Sequence, residues 1–170
     1  MMEARNSLSA PAGVRIHATA IALAVDADGP LAGVLLLGPS GAGKSSLALE
    51  AIEACPFRRT ALIADDQVLI GTGGEASAPA ALKGLIELRG YGPVPARSVA
   101  SARLVAAVDL ALDAPRVPVI ETRSIAPGAD LPVIPFGRPG ADAASAHRLR
   151  VIVRQVLCGQ IGEDPQDARP

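Results

Sequence analysis

The sequence predicts an α/β fold with a mixed central sheet flanked by helices, and three observations carry that prediction. Gly38-Pro39-Ser40-Gly41-Ala42-Gly43-Lys44-Ser45 fits the spacing G-x-x-x-x-G-K-[ST] at every fixed position. Apolar Gly33-Val34-Leu35-Leu36-Leu37 runs into it as a buried strand. Leu47, Ala48, Ala51, Ile52 and Cys55 follow at helical spacing, and Pro56 stops that helix. Strand, glycine-rich loop and helix in this order define a P-loop nucleotide-binding fold. A glycine-rich turn that fits the spacing by chance would not bring both flanking elements with it.

The loop's composition follows from its chemistry. Small residues let the backbone curl so that its N–H groups point inward at phosphate oxygens. The following helix aims its positive end at the same place. Lys44 would reach the β- and γ-phosphates, and the Ser45 hydroxyl would ligate Mg²⁺. The residues implied in nucleotide binding are therefore Gly38, Pro39, Ser40, Gly41, Ala42, Gly43, Lys44 and Ser45, with a nucleoside triphosphate and Mg²⁺ as the ligands.

The other elements are read in order. Val14 to Val25 is β-rich and contains His17. The turn Asp26-Ala27-Asp28-Gly29-Pro30 joins it to Val34–Leu37 as a hairpin, which makes the sheet mixed. Ala61-Leu62-Ile63-Ala64 is a short buried strand ending at Asp65-Asp66. Val68-Leu69-Ile70 continues it, and Gly71-Thr72-Gly73-Gly74 closes it. Glu75 to Ala81 reads as an Ala/Pro-rich connection. Leu82 to Pro93 mixes charges, glycines and apolar residues without clean periodicity, as a functional loop does. Leu104–Leu112 and Leu131–Phe136 read as buried strands. The Pro- and charge-rich stretch Asp113 to Asp130 between them is long enough to contact a substrate. Ala146, Leu149, Ile152, Val153, Val156 and Leu157 make a helical stripe that Gly159 ends.

Length and composition fit one domain over residues 14–160, with flexible ends at 1–13 and 161–170. Apolar residues make up 49%, enough for a core, but aromatics only 2%, so Ala, Val, Leu and Ile must build it. So few aromatics, a net charge of −1 and no basic run speak against nucleic acid as a partner. The start of the chain lacks the apolar core of a signal peptide, and no stretch approaches the ~20 apolar residues of a membrane span. The chain therefore reads as cytoplasmic. Cys55 and Cys158 lack metal-ligand spacing and read as buried thiols.

A P-loop defines a ligand, not a reaction. Asp65-Asp66 ends a strand after the P-loop helix, where one carboxylate could hold the metal through water and the other act as general base. A solvated acidic turn is the plain alternative. Glu87 and Arg89 alternate with apolar neighbours. Glu87 could ligate Mg²⁺, and Arg89 could neutralise phosphoryl charge. His17, a lone histidine on a strand, reads from its surroundings as a packed or solvated residue, and His147 has no assigned role.

These residues in this order resemble the C-terminal catalytic domain of HPr kinase/phosphorylase, in the short form found in some proteobacteria. That enzyme phosphorylates a serine of the phosphocarrier protein HPr and removes the phosphate by phosphorolysis. The match is carried by Ile16-His17, the P-loop, Ala64-Asp65-Asp66, and Leu82-Lys83-Gly84-Leu85-Ile86-Glu87-Leu88-Arg89-Gly90-Tyr91-Gly92, which is similar to the family signature L-E-I-R-G-L-G. Ile134-Pro135-Phe136-Gly137-Arg138-Pro139-Gly140 resembles its late R-P-G segment, and the likeness runs from about Ile16 to Gly159. Ser46 stands where the family often has an acidic residue, and Ala141 where R-P-G-R has its second arginine.

The resemblance implies roles for specific residues. Lys44 is the phosphate-binding lysine, Ser45 and Glu87 are the Mg²⁺ ligands, and Asp66 is the general base. His17 is a catalytic-site histidine, and Arg116 is a phosphate-contacting arginine, with Arg123 as its competitor. The resemblance also implies HPr or an HPr-like carrier as substrate, a role in phosphotransferase signalling and carbon metabolism, and a hexamer. Two further readings keep the fold. One is a P-loop kinase of a small molecule or peptide. The other is a regulator that senses ATP without transferring phosphate.

Overall fold

The computed structural model describes residues 13–116, 119–137 and 144–159. The ends expected to be flexible, apart from Gly13, and Arg138-Pro139-Gly140-Ala141 lie outside the described residues.

The hairpin expected beside the P-loop strand is present, and a parallel strand on the other side of it makes the sheet mixed. Strand β1 is Val14–His17, β2 Thr19–Leu23 and β3 Ala32–Leu37. Helix α1 is Lys44–Glu53. Strands β4 (Ala61–Ala64), β5 (Gln67–Ile70) and β6 (Glu75–Ser77) follow. Next come the hairpin strands β7 (Leu85–Leu88) and β8 (Gly92–Pro95), then β9 (Ser101–Asp109). Strands β10 (Glu121–Ala126) and β11 (Ala129–Pro135) lead to helix α2 (Ser145–Leu157). β3 pairs antiparallel with β2 and parallel with β9. The main sheet runs β1-β5-β6-β9-β3-β2-β4, with β11 on β9 and β10 on β11, while β7 and β8 form a separate two-stranded sheet.

The pleat sorts the core into two layers. Val34 and Leu36 of β3 join Ile21, Leu23 and Val108 beneath Leu47, Ala51 and Ile52 of α1 and Leu149 and Val153 of α2. Leu35 faces the other way, with Ala20, Ala22, Ile63 and Ala107. Both helices therefore cover one face. Val68, Ile70, Ala76, Leu131 and Val133, from strands of the same sheet, close the other. This core of small and branched residues demands close backbone approach. A Cβ on Gly33 would lie 2.3 Å from the Arg103 carbonyl oxygen of β9. Gly33→Ala is expected to cost about 3 kcal/mol or more, since neither backbone can yield inside the sheet. Urea unfolding checks it.

The structure departs from the sequence reading in five places, the first being that Glu75–Ser77, read as part of a connection, is strand β6, paired with β5 and β9. Val68–Ile70 does not continue the Ala61–Ala64 strand: Asp66 adopts φ 65°, and β5 leaves to pair with β1 and β6 while β4 stays on β2. Leu85–Pro95 is a regular hairpin, because the glycines that blur its periodicity form its turn. Much of Asp113–Asp130 is strand, since β10 pairs with β11. Of the two thiols, Cys55 is buried and Cys158, at the end of α2, is exposed. Burial opposes ionisation of Cys55, but the Thr60 hydroxyl and the backbone N–H groups of Thr60, Arg59 and Phe57 outweigh it and bring its pKa to about 6.

Arg150 interrupts the apolar stripe of α2. It is buried, with Nε donating to the Ala24 carbonyl at 3.2 Å. Among the described residues, no helix is long and apolar enough to cross a membrane.

Candidate active site

The P-loop bends where its glycines allow. Gly38, Gly41 and Gly43 have φ of 138°, 80° and 97°, which L side chains rarely adopt. Gly43 caps α1, and the helix's first turn has neither a side-chain cap nor an acidic residue. Its N–H groups are thus left for an anion. The chain folds back so that Lys44, nearly buried, donates from Nζ to the carbonyls of Gly38 at 2.8 Å and Pro39 at 3.0 Å. Burial pushes the Lys44 ammonium below its ordinary pKa, against the pull of Asp65 and Asp66.

The two adjacent aspartates have different surroundings. At the end of β4 a tight turn, closed by Gln67 N–H donating to the Asp65 carbonyl at 2.8 Å, sends one carboxylate inward and the other outward. Asp65 is 5% exposed. Its Oδ1 accepts from Thr19 Oγ1 at 2.7 Å and Ser45 Oγ at 2.8 Å, and its Oδ2 accepts from the Glu87 N–H at 2.9 Å. One carboxylate thus ties β2, α1 and β7 to the end of β4. Asp66 has a side chain 55% exposed and lines the pocket described below.

His17, at the end of β1, lies between Asp66 and Lys44. Its Nδ1 is 3.1 Å from Asp66 Oδ1 and 3.0 Å from the Asp66 carbonyl oxygen, and its Nε2 is 3.3 Å from Lys44 Nζ. An ammonium only donates, so Nε2 must accept and the proton belongs on Nδ1, where two Asp66 oxygens receive it. The hydrogen-bond network thus assigns the tautomer, and His17 orients Asp66.

These groups line one pocket of about 380 Å³ that also contains Glu87, Arg89 and Gly90. Lys44, Ser45, Asp66, His17 and Glu87, each singled out from the sequence, are brought together. Arg116 and Arg123 are not. Arg116 is exposed in the connection after β9, and Arg123 on β10 pairs with Glu121 at 3.4 Å. The residue pattern by itself left Asp65 and Asp66 interchangeable, the resemblance alone gave the base to Asp66, and Thr19 was passed over. A threonine inside the apolar run Ala18–Val25 was the available signal, because a hydroxyl buried there needs a partner.

The residues fit a magnesium ion that arrives with phosphate. Among the described residues no cluster of His, Cys, Asp or Glu makes an all-protein metal cage. Mg²⁺ in phosphate sites needs none, since one or two protein oxygens and substrate phosphates complete its shell. Ser45 gives its proton to Asp65 and keeps its lone pairs for a cation, and the Glu87 carboxylate has no protein partner among the described residues.

A glycine-rich loop between a buried strand and an uncapped helix, with a lysine, a hydroxyl and two carboxylates around it, defines a P-loop phosphate-binding protein. The chain belongs to the HPr serine kinase C-terminal domain family, whose model matches residues 24–111. That span holds the P-loop, both aspartates, Glu87 and Arg89, and leaves out His17 and α2. The HPr kinase/phosphorylase of Caldanaerobacter subterraneus subsp. tengcongensis is 41% identical over 87 residues, 47% of this chain and 27% of that protein. The match spans about a quarter of that relative's length. The structure of the Hpr(Ser) kinase/phosphatase from Coxiella burnetii is similar with a TM-score of 0.68, covering 88% of this chain and 93% of that one. At 21% identity it shows a shared fold.

Proposed function

We propose that the chain is an ATP-dependent protein-serine kinase acting on HPr or an HPr-like carrier. One observation carries the reading. A half-exposed carboxylate is held by a histidine at a phosphate pocket, where a hydroxyl borne on a large molecule can reach it. A kinase of a small molecule gains nothing from a base 55% exposed, since closure over substrate is the usual way to keep water out.

In the mechanism, the loop N–H groups, Lys44 and the end of α1 hold the phosphates of ATP. Ser45 and Glu87 would hold Mg²⁺, which when bound neutralises phosphate charge. His17 donates from Nδ1 to Asp66 and keeps its carboxylate aimed outward. Asp66 takes the serine proton as the serine oxygen bonds to the γ-phosphorus. The bond from that phosphorus to the bridging oxygen breaks, and ADP leaves with the electron pair. Phosphorolysis uses the same site with inorganic phosphate in place of ADP: a phosphate oxygen bonds to the phosphorus, the bond from that phosphorus to the serine oxygen breaks, Asp66 as the acid returns the proton to that oxygen, and pyrophosphate leaves.

The resemblance further supports a role in phosphotransferase signalling and carbon metabolism, a cytoplasmic location, a hexamer, and one catalytic domain over residues 14–160. Incubating γ-labelled ATP and Mg²⁺ with HPr from the same organism tests the proposal. Label on the carrier, absent with Lys44→Ala, is expected, and adding inorganic phosphate then tests reversal. Bound ATP with an unlabelled carrier would contradict it.

A further inference from the structure

We infer that the cleft between α2 and the chain leaving β9 is the nucleoside subsite of this P-loop, and that it takes the purine base of the triphosphate whose phosphates the loop holds. The inference rests on the phosphotransfer reading above. Its first support is what the phosphate pocket lacks. The pocket around Lys44 is lined by glycines and by hydroxyl, amine, imidazole, guanidinium and carboxylate groups, and among the described residues no apolar side chain lines it. Phosphates suit that lining. A purine does not, because flat heterocycles are held mainly by apolar walls with a few polar groups at their edges. The base therefore has to lie beyond this pocket. A second cavity, of about 370 Å³, has the required character. Ile120, Ile134, Pro135, Val151 and Ile152 give it apolar walls, and no acidic residue lines it among the described residues.

The second support is position. β3, β9 and β11 are parallel neighbours. The P-loop, the stretch after β9 and the stretch after β11 leave their carboxyl ends, where open α/β sheets bind their ligands. Asp65 and Asp66 follow β4, on the other side of β3, so metal and base fall on opposite flanks of the loop. One piece of chain joins the two cavities. A Cβ on Gly38 would lie 3.5 Å from Leu110 Cβ and 3.7 Å from the Ala111 nitrogen. Gly137 N–H donates to the Leu112 carbonyl at 2.9 Å, and Ala114 and Pro115 line the cleft. The cleft's two polar side chains suit a base. Arg148 donates from Nη2 to the Phe136 carbonyl, and its guanidinium lies 4.0 Å from the centre of the Phe136 ring. This fixes a planar cation on the cleft wall, on which a purine can stack. Gln155 is exposed and has no hydrogen-bond partner among the described residues, so its amide can both donate to and accept from the edge of a base.

The test separates the base from the phosphates. Equilibrium binding of Mg²⁺–ATP and of Mg²⁺–tripolyphosphate, which has the phosphates and no nucleoside, is measured for wild type, Val151→Trp and Gln155→Ala. Wild type is expected to hold ATP about 10-fold more tightly than tripolyphosphate, or better. Val151 is exposed on α2 at the cleft, so the larger ring fills the cleft without entering the core. Val151→Trp should lose that difference, bind tripolyphosphate as wild type does and keep the wild-type melting temperature. Gln155→Ala, a smaller change at an exposed position, should lose part of it. A photoreactive azido-ATP should label α2, the end of β11 or the stretch after β9. A wild type that binds both ligands equally would overturn the proposal, as would a Val151→Trp that prefers ATP as strongly as wild type does, or label confined to other elements. A wild type that binds neither ligand would remove the phosphotransfer reading and this inference with it. Label in the cleft together with an unphosphorylated carrier would count against the carrier and not against the cleft.

Discussion

Asp66→Asn is expected to fold and bind Mg²⁺–ATP as wild type does, and to transfer phosphate about 10²- to 10⁴-fold more slowly. The substitution isolates the chemistry because of the backbone. Asp66 has φ 65°, a conformation asparagine adopts as readily as aspartate. The amide keeps an oxygen for the Nδ1–H of His17, 3.1 Å away in the wild type, but has no basicity for a serine proton. Asp66→Ala would be a poorer probe, since it adds about 1 kcal/mol of strain at a left-handed position. Single-turnover transfer beside equilibrium nucleotide binding reads the split. Wild-type rates in Asp66→Asn would remove Asp66 as the base.

The second large effect belongs to the aspartate that does no proton transfer. Asp65→Ala leaves Thr19 Oγ1, Ser45 Oγ and the Glu87 N–H without their common acceptor. Thr19 is fully buried, and the expected loss is about 2–5 kcal/mol in stability. The loss of Mg²⁺-dependent nucleotide binding should be as large, because both residues assigned to the metal are positioned through this carboxylate. Thr19→Val, which removes one donor and leaves Asp65 two others, should cost about 1 kcal/mol and keep the magnesium dependence. Chemical denaturation and a Mg²⁺ titration of ATP binding check both. An Asp65→Ala variant that stays as stable as wild type and still needs Mg²⁺ would show that the hub is dispensable.

The parts legible in the sequence are those a local pattern specifies. The P-loop needs glycine at positions where φ is positive, and β3 and α1 need apolar runs of strand and helix period, so residues 33 to 56 read correctly. The paired strand β2 followed from the Asp-Gly-Pro turn. What did not read depends on partners far along the chain. Asp65 and Asp66 are chemically identical, and only the turn that buries one and exposes the other distinguishes them. Thr19 acquires its meaning from a carboxylate 46 residues away. The β7–β8 hairpin hid behind its glycines, which blur strand period while forming the turn. Arg150, in an otherwise apolar stripe, is buried because the Ala24 carbonyl receives it, and helical periodicity carries no trace of that. His17 is instructive in the opposite sense. Its surroundings in sequence suggest a packed or solvated residue, yet β1 pairs with β5 in a register that sets it opposite Gln67, one residue from Asp66.

The most direct measurement is residue-resolved phosphorylation of the carrier. HPr from the same organism, and a form with its acceptor serine replaced by alanine, would be incubated with Mg²⁺–ATP and either wild type or Asp66→Asn at equal nucleotide occupancy. Mass spectrometry would then locate the phosphate. The expected result is one phosphoserine on intact HPr, made by the wild type and lost both with Asp66→Asn and with the serine replacement. Phosphate on another residue, equal labelling by Asp66→Asn, or no phosphate on a carrier exposed to ATP-loaded wild type would contradict the account.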